Sequence, residues 1–154
     1  MKVKRSAAYA LHALIYMVRH RTQLPLTIRM IAKSEGIPAD YLAKVFQMLT
    51  KACFVKSVRG KKKGYIFARP PEEISLLELI EATEGRPIFS DCFLRHCNCG
   101  GTPDNCRIYS IWVSSTKRVL DLLRETTLED AAWNHPEHRF SSSSEFIENS
   151  AEKK

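Results

Sequence analysis

Four of the chain's five cysteines fall within fifteen residues, Cys92-Phe-Leu-Arg-His-Cys97-Asn-Cys99-Gly-Gly-Thr-Pro-Asp-Asn-Cys106, and no other stretch restricts the fold as much. Gly100, Gly101, Pro103 and Asn105 separate the thiols where a core segment would carry apolar residues. Such a loop is suited to turning its thiolates inward on one soft metal centre. An odd, clustered set of cysteines fits metal binding or redox sensing in a reducing compartment better than a disulfide framework. Cys53 stands apart in Ala52-Cys53-Phe54-Val55 and reads as a small core residue at the start of a strand.

The charge divides at the same joint. Residues 1–71 hold 15 Lys/Arg and 2 Asp/Glu, a net +13, while residues 72–154 hold 9 and 15, a net −6, which leaves +7 for the chain. A field of that size on about seventy residues suits a phosphate-binding module, because each neutralised phosphate releases condensed counterions. Apolar runs stop well short of the roughly 18 residues of a bilayer span. A cytoplasmic protein with no membrane partner is expected. No nucleophile–base pair, phosphate-cradling glycine loop or carboxylate pair suggests an enzyme.

Residues 5–20 place Ala7, Leu11, Leu14, Ile15 and Val18 at helical spacing. Thr27 is the expected N-cap of a short second helix that ends at Gly36, and Pro38 suits the first turn of a third helix running to about Lys51. Two short helices around a tight glycine turn form a helix-turn-helix pattern. Phe54–Val58 and Tyr65–Ala68 then alternate as strands around the turn Arg59-Gly-Lys-Lys-Lys-Gly64. The expected fold is therefore mainly α with a small β-hairpin wing, a winged helix-turn-helix. Ser75-Leu-Leu-Glu78 reads as a capping box for a connecting helix.

After the cysteines, residues 107–124 carry Ile108, Ile111, Trp112, Val119, Leu122 and Leu123 on one expected face, widened by Val113 and Leu120. This long helix is read as a dimerisation helix, because readers of this type bind two half-sites as dimers. Thr127-Leu-Glu-Asp130 starts a last short helix. The organisation is 1–71 DNA-binding domain, 72–91 connecting helix, 92–106 cysteine loop, 107–133 dimerisation and terminal helices, and 134–154 a disordered tail.

On the DNA side, Pro38, Ala39, Asp40, Tyr41 and Lys44 occupy the start of the recognition helix, with Tyr41 and Lys44 as phosphate or base contacts. Arg59 is suited to a narrow minor groove, and Lys61, Lys62 and Lys63 to phosphate anchoring. Thr27 and Arg29 add backbone contacts. The expected partner is a double-stranded DNA operator with an imperfect palindrome.

The sequence resembles the Rrf-two family of bacterial transcription regulators, which includes IscR-like and NsrR-like members. The resemblance is carried by Tyr9-Ala10, Ile31-Ala32, Gly36-Ile37-Pro38, Tyr41-Leu42, Leu49, Val58-Arg59-Gly60, Gly64-Tyr65, Leu79, Glu84-Gly85, the clustered cysteines and Trp112, six residues past Cys106. It runs from about Met1 to Leu128. It implies a homodimeric winged-helix regulator, here read as a repressor, whose cysteine loop holds an iron–sulfur cluster, 2Fe-2S being favoured and 4Fe-4S the other form. Zinc is the inorganic alternative, and a cluster-free thiol sensor of the same architecture is the other functional reading.

Family members use three loop cysteines. Cys92 and Cys106 frame the loop, and either Cys97 or Cys99 takes the middle place. Where some members have a histidine after the last cysteine this chain has Tyr109, and where others have a carboxylate in the first helix it has Ala8. The resemblance implies His12 as the fourth ligand, contributed from the partner protomer, with His96 a weaker candidate. The chain also carries Lys63 where the family usually has a second wing glycine, and Ala43 where some members have a glutamate.

Overall fold

The computed structural model describes residues 3–89, 92, 100–102, 104–134 and 136. Among these the elements run α1 (Arg5–Arg19), α2 (Ile28–Glu35), α3 (Ala39–Lys51), β1 (Val55–Val58), β2 (Gly64–Phe67), α4 (Leu76–Glu84), α5 (Arg107–Glu125) and α6 (Leu128–Asn134). The mainly helical winged helix read from the sequence is the fold observed. No helix among the described residues is long and apolar enough to cross a membrane.

The hub is α1, which packs on α2, α3, α4 and α6. Ala10, Ala13, Leu14, Met17 and Val18 are sealed from solvent, and the alanines let neighbouring backbones approach closely. Phe46 from α3 and Phe54 complete the core. Truncating a ring such as Phe46 to alanine costs about 3–5 kcal/mol.

The helix-turn-helix follows from its end signals. Thr27 Oγ1 accepts the Met30 N–H at 3.3 Å. Gly36 closes α2 with φ 69°, and the N–H of buried Ile37 reaches Ala32 O at 3.0 Å. Pro38 stands at the N-cap of α3, one residue before the first turn expected for it.

Cys53 is not the core residue expected. It is exposed, with φ 60°. The end of α3 folds into a closing turn in which Cys53 N–H reaches Thr50 O at 3.1 Å and Phe54 N–H reaches Leu49 O at 2.9 Å. That turn sends Phe54 inward and residue 53 outward, whereas an alternating strand reading placed the cysteine inside.

In the wing, β1 and β2 pair antiparallel from Val55↔Phe67 to Val58↔Gly64. The hairpin is tied to the segment before α2, because Leu26 and Tyr65 exchange backbone bonds at 3.1 and 2.8 Å. A Cβ at Gly64 would lie 2.7 Å from the Leu26 carbonyl oxygen, so this crossing demands glycine. Lys63 has no positive φ, and the wing geometry does not require a glycine there.

Beyond the wing, Ser75 Oγ accepts the Glu78 N–H at 3.2 Å, while the Glu78 carboxylate turns to Arg69. Thr127 caps α6 more fully: its Oγ1 accepts the Asp130 N–H at 3.1 Å, and its own N–H and hydroxyl donate to Asp130 Oδ2. Those bonds, the hydroxyl's first, hold the Asp130 carboxyl below its usual range.

The apolar surface of α5 divides in two, because eight apolar side chains span more than one face of a helix. Trp112, Leu120 and Leu123 are partly covered where α5 packs along α4, whereas Ile108, Ile111, Val119 and Leu122 are exposed. Val113 is exposed as well. Thr116 is the one buried residue of the nineteen.

Candidate DNA interface and cysteine loop

The buried side of α3 is Leu42, Val45, Phe46 and Leu49. The opposite side presents Asp40 and Lys44, both exposed, at the start of the helix with Pro38 and Ala39. Gln47 and Lys51 continue this ridge, although the sequence reading did not single them out; a period of 3.6 counted from Asp40 finds both. Tyr41 lies to the side, 40% exposed, with its ring edge-on to Tyr9 at 5.3 Å between centroids. Thr27 is partly covered, its hydroxyl engaged as the α2 cap, and Arg29 is exposed beside it.

Arg59, Lys61, Lys62 and Lys63 are all exposed in the turn between β1 and β2. The hairpin thus carries four cations at a tip that the Leu26–Tyr65 pairing fixes to the base of α2. The wing also packs on α3, where the Phe46 and Tyr65 rings meet edge-on at 4.8 Å, so the two basic surfaces belong to one packed unit.

The two ends of the cysteine loop are anchored to α4 and α5. Gly85 closes α4 with φ 73°, and Ile88 N–H returns to Glu81 Oε1 at 3.1 Å. Phe89 has φ 59°, a strained value for a non-glycine residue. Its ring meets Trp112 of α5 at 5.9 Å. At the far end, Cys106 N–H bonds Thr102 O at 2.9 Å and Thr102 N–H bonds Asn105 Oδ1 at 2.6 Å, which sets Cys106 as the N-cap of α5.

Cys92 and Cys106 are free thiols, each partly buried. Cys97, Cys99 and His96 lie outside the described residues, as does the tail from 137 onward. No cluster of three potential metal ligands occurs among the described residues. His12 sits on α1 with its Nδ1 3.6 Å from Glu35 Oε2, at the last residue of α2. The start of α1 is fastened to the loop's entry: buried Glu84, the last residue of α4, accepts the Lys4 backbone N–H on Oε1 at 2.6 Å, and Lys4 Nζ donates to Glu84 O at 2.8 Å. α1 therefore touches the end of α4, the end of α2 and the start of α3 within three turns.

Known proteins share both sequence and fold. The family model for Rrf2, described as an iron-dependent transcriptional regulator, matches residues 3–134. The HTH-type transcriptional regulator IscR of Pectobacterium atrosepticum is 28% identical over 134 residues, 87% of this chain and 80% of that protein. Among solved structures, T. potens IscR superposes with a TM-score of 0.68 at 26% identity, covering 93% of this chain and 94% of that one. CymR, the global cysteine regulator of B. subtilis, superposes with a TM-score of 0.70 at 28% identity, covering 86% and 97%.

Proposed function

This chain belongs to the Rrf2 family of transcriptional regulators, and on that premise we propose that it is a homodimeric repressor reading an imperfect DNA palindrome under the control of an iron–sulfur cluster in residues 92–106. The observation that carries the reading is α5. A nineteen-residue helix with one buried residue, and with Ile111 and Leu122 more than half exposed, has an apolar face suited to a second copy of itself. The same helix begins at Cys106, so the cysteine loop and the proposed dimer face are one covalent unit.

The donor set fits a soft metal centre. Cys92 and Cys106 frame the loop as free, partly buried thiols, and Cys106 stands at the helix end that favours negative charge. Cys92, Cys106 and either Cys97 or Cys99 would hold the cluster, with His12 of the partner subunit as fourth ligand. When bound, a cluster of this kind supplies a centre whose redox state and integrity respond to oxidants, nitric oxide and iron–sulfur supply.

The chain's own residues would turn the loop's state into a DNA-binding state. Phe89 and Cys106 pass a change of loop shape to α5, and Glu84 passes it through Lys4 to α1. Tyr9 and His12 of α1 bear on Tyr41 and Glu35, on either side of the turn between α2 and α3. The two loop states thereby favour different settings of the recognition helices, a population shift.

A second reading is favoured by the likeness to a protein described as a cysteine regulator: the same fold with no cluster, sensing oxidation of its thiols or held by structural zinc. An anaerobic visible spectrum with iron, sulfide and zinc analysis separates the two. Charge-transfer bands with matching iron and sulfide support the cluster. A colourless protein without sulfide, even after reconstitution, supports zinc or free thiols.

A further inference from the structure

The outward ridge of α3 carries one neutral side chain able to read a base through two hydrogen bonds, and we infer that this residue, Gln47, determines specificity by selecting an adenine about two to three base pairs from the pair met by Asp40. The inference rests on the reading of the chain as a sequence-specific DNA-binding regulator, and adds to it the residue that does the reading.

The geometry of α3 narrows the choice. Directly opposite the buried Leu42, Val45, Phe46 and Leu49 lie Asp40, Lys44, Gln47 and Lys51, at i, i+4, i+7 and i+11, all exposed. The lysines are flexible point charges suited to phosphates, which carry no sequence information. Other exposed neutral groups on the helix are excluded by chemistry or position. Thr50 donates its hydroxyl to Phe46 O at 2.7 Å, Met48 has no strong donor, and Tyr41 is turned against Tyr9.

Gln47 offers an acceptor and a donor in one plane, the pattern that matches N6 and N7 of adenine in the major groove. Among the described residues its amide takes no intrachain hydrogen bond, so nothing within the chain opposes that pairing. Asp40 only accepts, and therefore suits the N4 amine of cytosine. The seven steps from Asp40 to Gln47 advance about 10.5 Å along the helix axis, at 1.5 Å per residue. A helix in the major groove crosses the duplex axis at an angle, so this span covers about two to three base-pair steps of 3.4 Å. Ala43, partly covered between them, adds no polar requirement.

The test is selection from a random duplex library by the full-length, anaerobically purified protein, alongside Gln47→Ala, Gln47→Glu and Lys44→Ala. The parent should select half-sites with an A·T pair about two to three positions from a C·G pair. Gln47→Ala should lower discrimination at the A·T pair by roughly ten- to a hundredfold, with the salt dependence unchanged. Gln47→Glu should move the preference there toward cytosine, a gain that misfolding cannot imitate, and Lys44→Ala should weaken all sequences alike. An unchanged preference in both Gln47 variants of a parent that does select sequences overturns the assignment and leaves the regulator reading standing. A parent that selects no sequence overturns both.

Discussion

His12 of α1 and Glu35 at the end of α2 face each other within one protomer, Nδ1 to Oε2 at 3.6 Å, with side chains only 11% and 13% exposed. A carboxylate set on one ring nitrogen is the arrangement that orients a histidine to bind metal through the other. If His12 serves the partner subunit's cluster, Glu35→Gln should lower cluster retention about tenfold, and His12→Ala by more. Decay of the visible absorbance under a chelator measures both. Retention equal to the parent's in the two variants would leave His12 as a packing residue against α2.

Gly64 and Lys63, adjacent in the wing, should respond in opposite ways. A Cβ at position 64 meets the backbone of Leu26 at 2.7 Å, and no rotamer can relieve it. Gly64→Ala should therefore cost about 1–3 kcal/mol in urea unfolding and weaken DNA binding through the displaced hairpin. Lys63→Gly changes a residue without positive φ and should shift stability by about 1 kcal/mol or less, from chain entropy. Equal midpoints for the Gly64 variant and the parent would remove the close crossing as a constraint.

The helix-turn-helix and wing were legible because local signals set them. Thr27, Gly36 and the period of Leu42, Val45, Phe46 and Leu49 specify their elements almost alone. Cys53 was misread because its outward position depends on how α3 ends, a closing turn in a non-glycine residue that carries no sequence signature. The double face of α5 was also hidden: periodicity counts apolar residues, but only packing against α4 tells which of them still lack a neighbour. Likewise the Tyr9–Tyr41 and His12–Glu35 pairs join helices across the turn, and no spacing rule reports them.

Within the basic wing, Arg59 and the three lysines should separate by the part of the duplex each one meets. Arg59→Ala should weaken operator binding and relax any preference for a narrow minor groove. Replacing Lys61, Lys62 and Lys63 by alanine should weaken all sequences alike and lower the salt slope by about 0.9 for each phosphate that is no longer neutralised. Titrations on operator and scrambled duplexes at several salt concentrations distinguish these. A triple-lysine variant with the parent's slope would mean that the lysines stay solvated in the complex.

The exposed stripe of α5 predicts an association state. Ile111→Lys and Leu122→Lys change residues that are 51% and 54% exposed in the protomer, so each variant should keep its helical circular dichroism spectrum while its melting temperature falls and stops depending on protein concentration. Charge on a dimer face should shift the protein to monomer in sedimentation, and it should lose the palindrome while keeping weak half-site binding. Dimers of unchanged stability in both variants would exclude this face as the interface.

Cys106 offers the sharpest separation of ligation from folding. It is the N-cap of α5, yet its side chain makes no capping hydrogen bond, so Cys106→Ala removes a thiol and leaves the helix end as it was. Stability should change by about 1 kcal/mol or less, in line with a cap position whose side chain is not used. The visible chromophore of the anaerobically prepared protein should disappear. Comparing Cys97→Ala with Cys99→Ala then identifies the middle ligand, because only one of the two should bleach the protein if three loop cysteines bind. A Cys106 variant that keeps the full cluster spectrum would move the ligand set elsewhere in the chain, whereas bleaching by all four single variants would point to a site using every loop thiol.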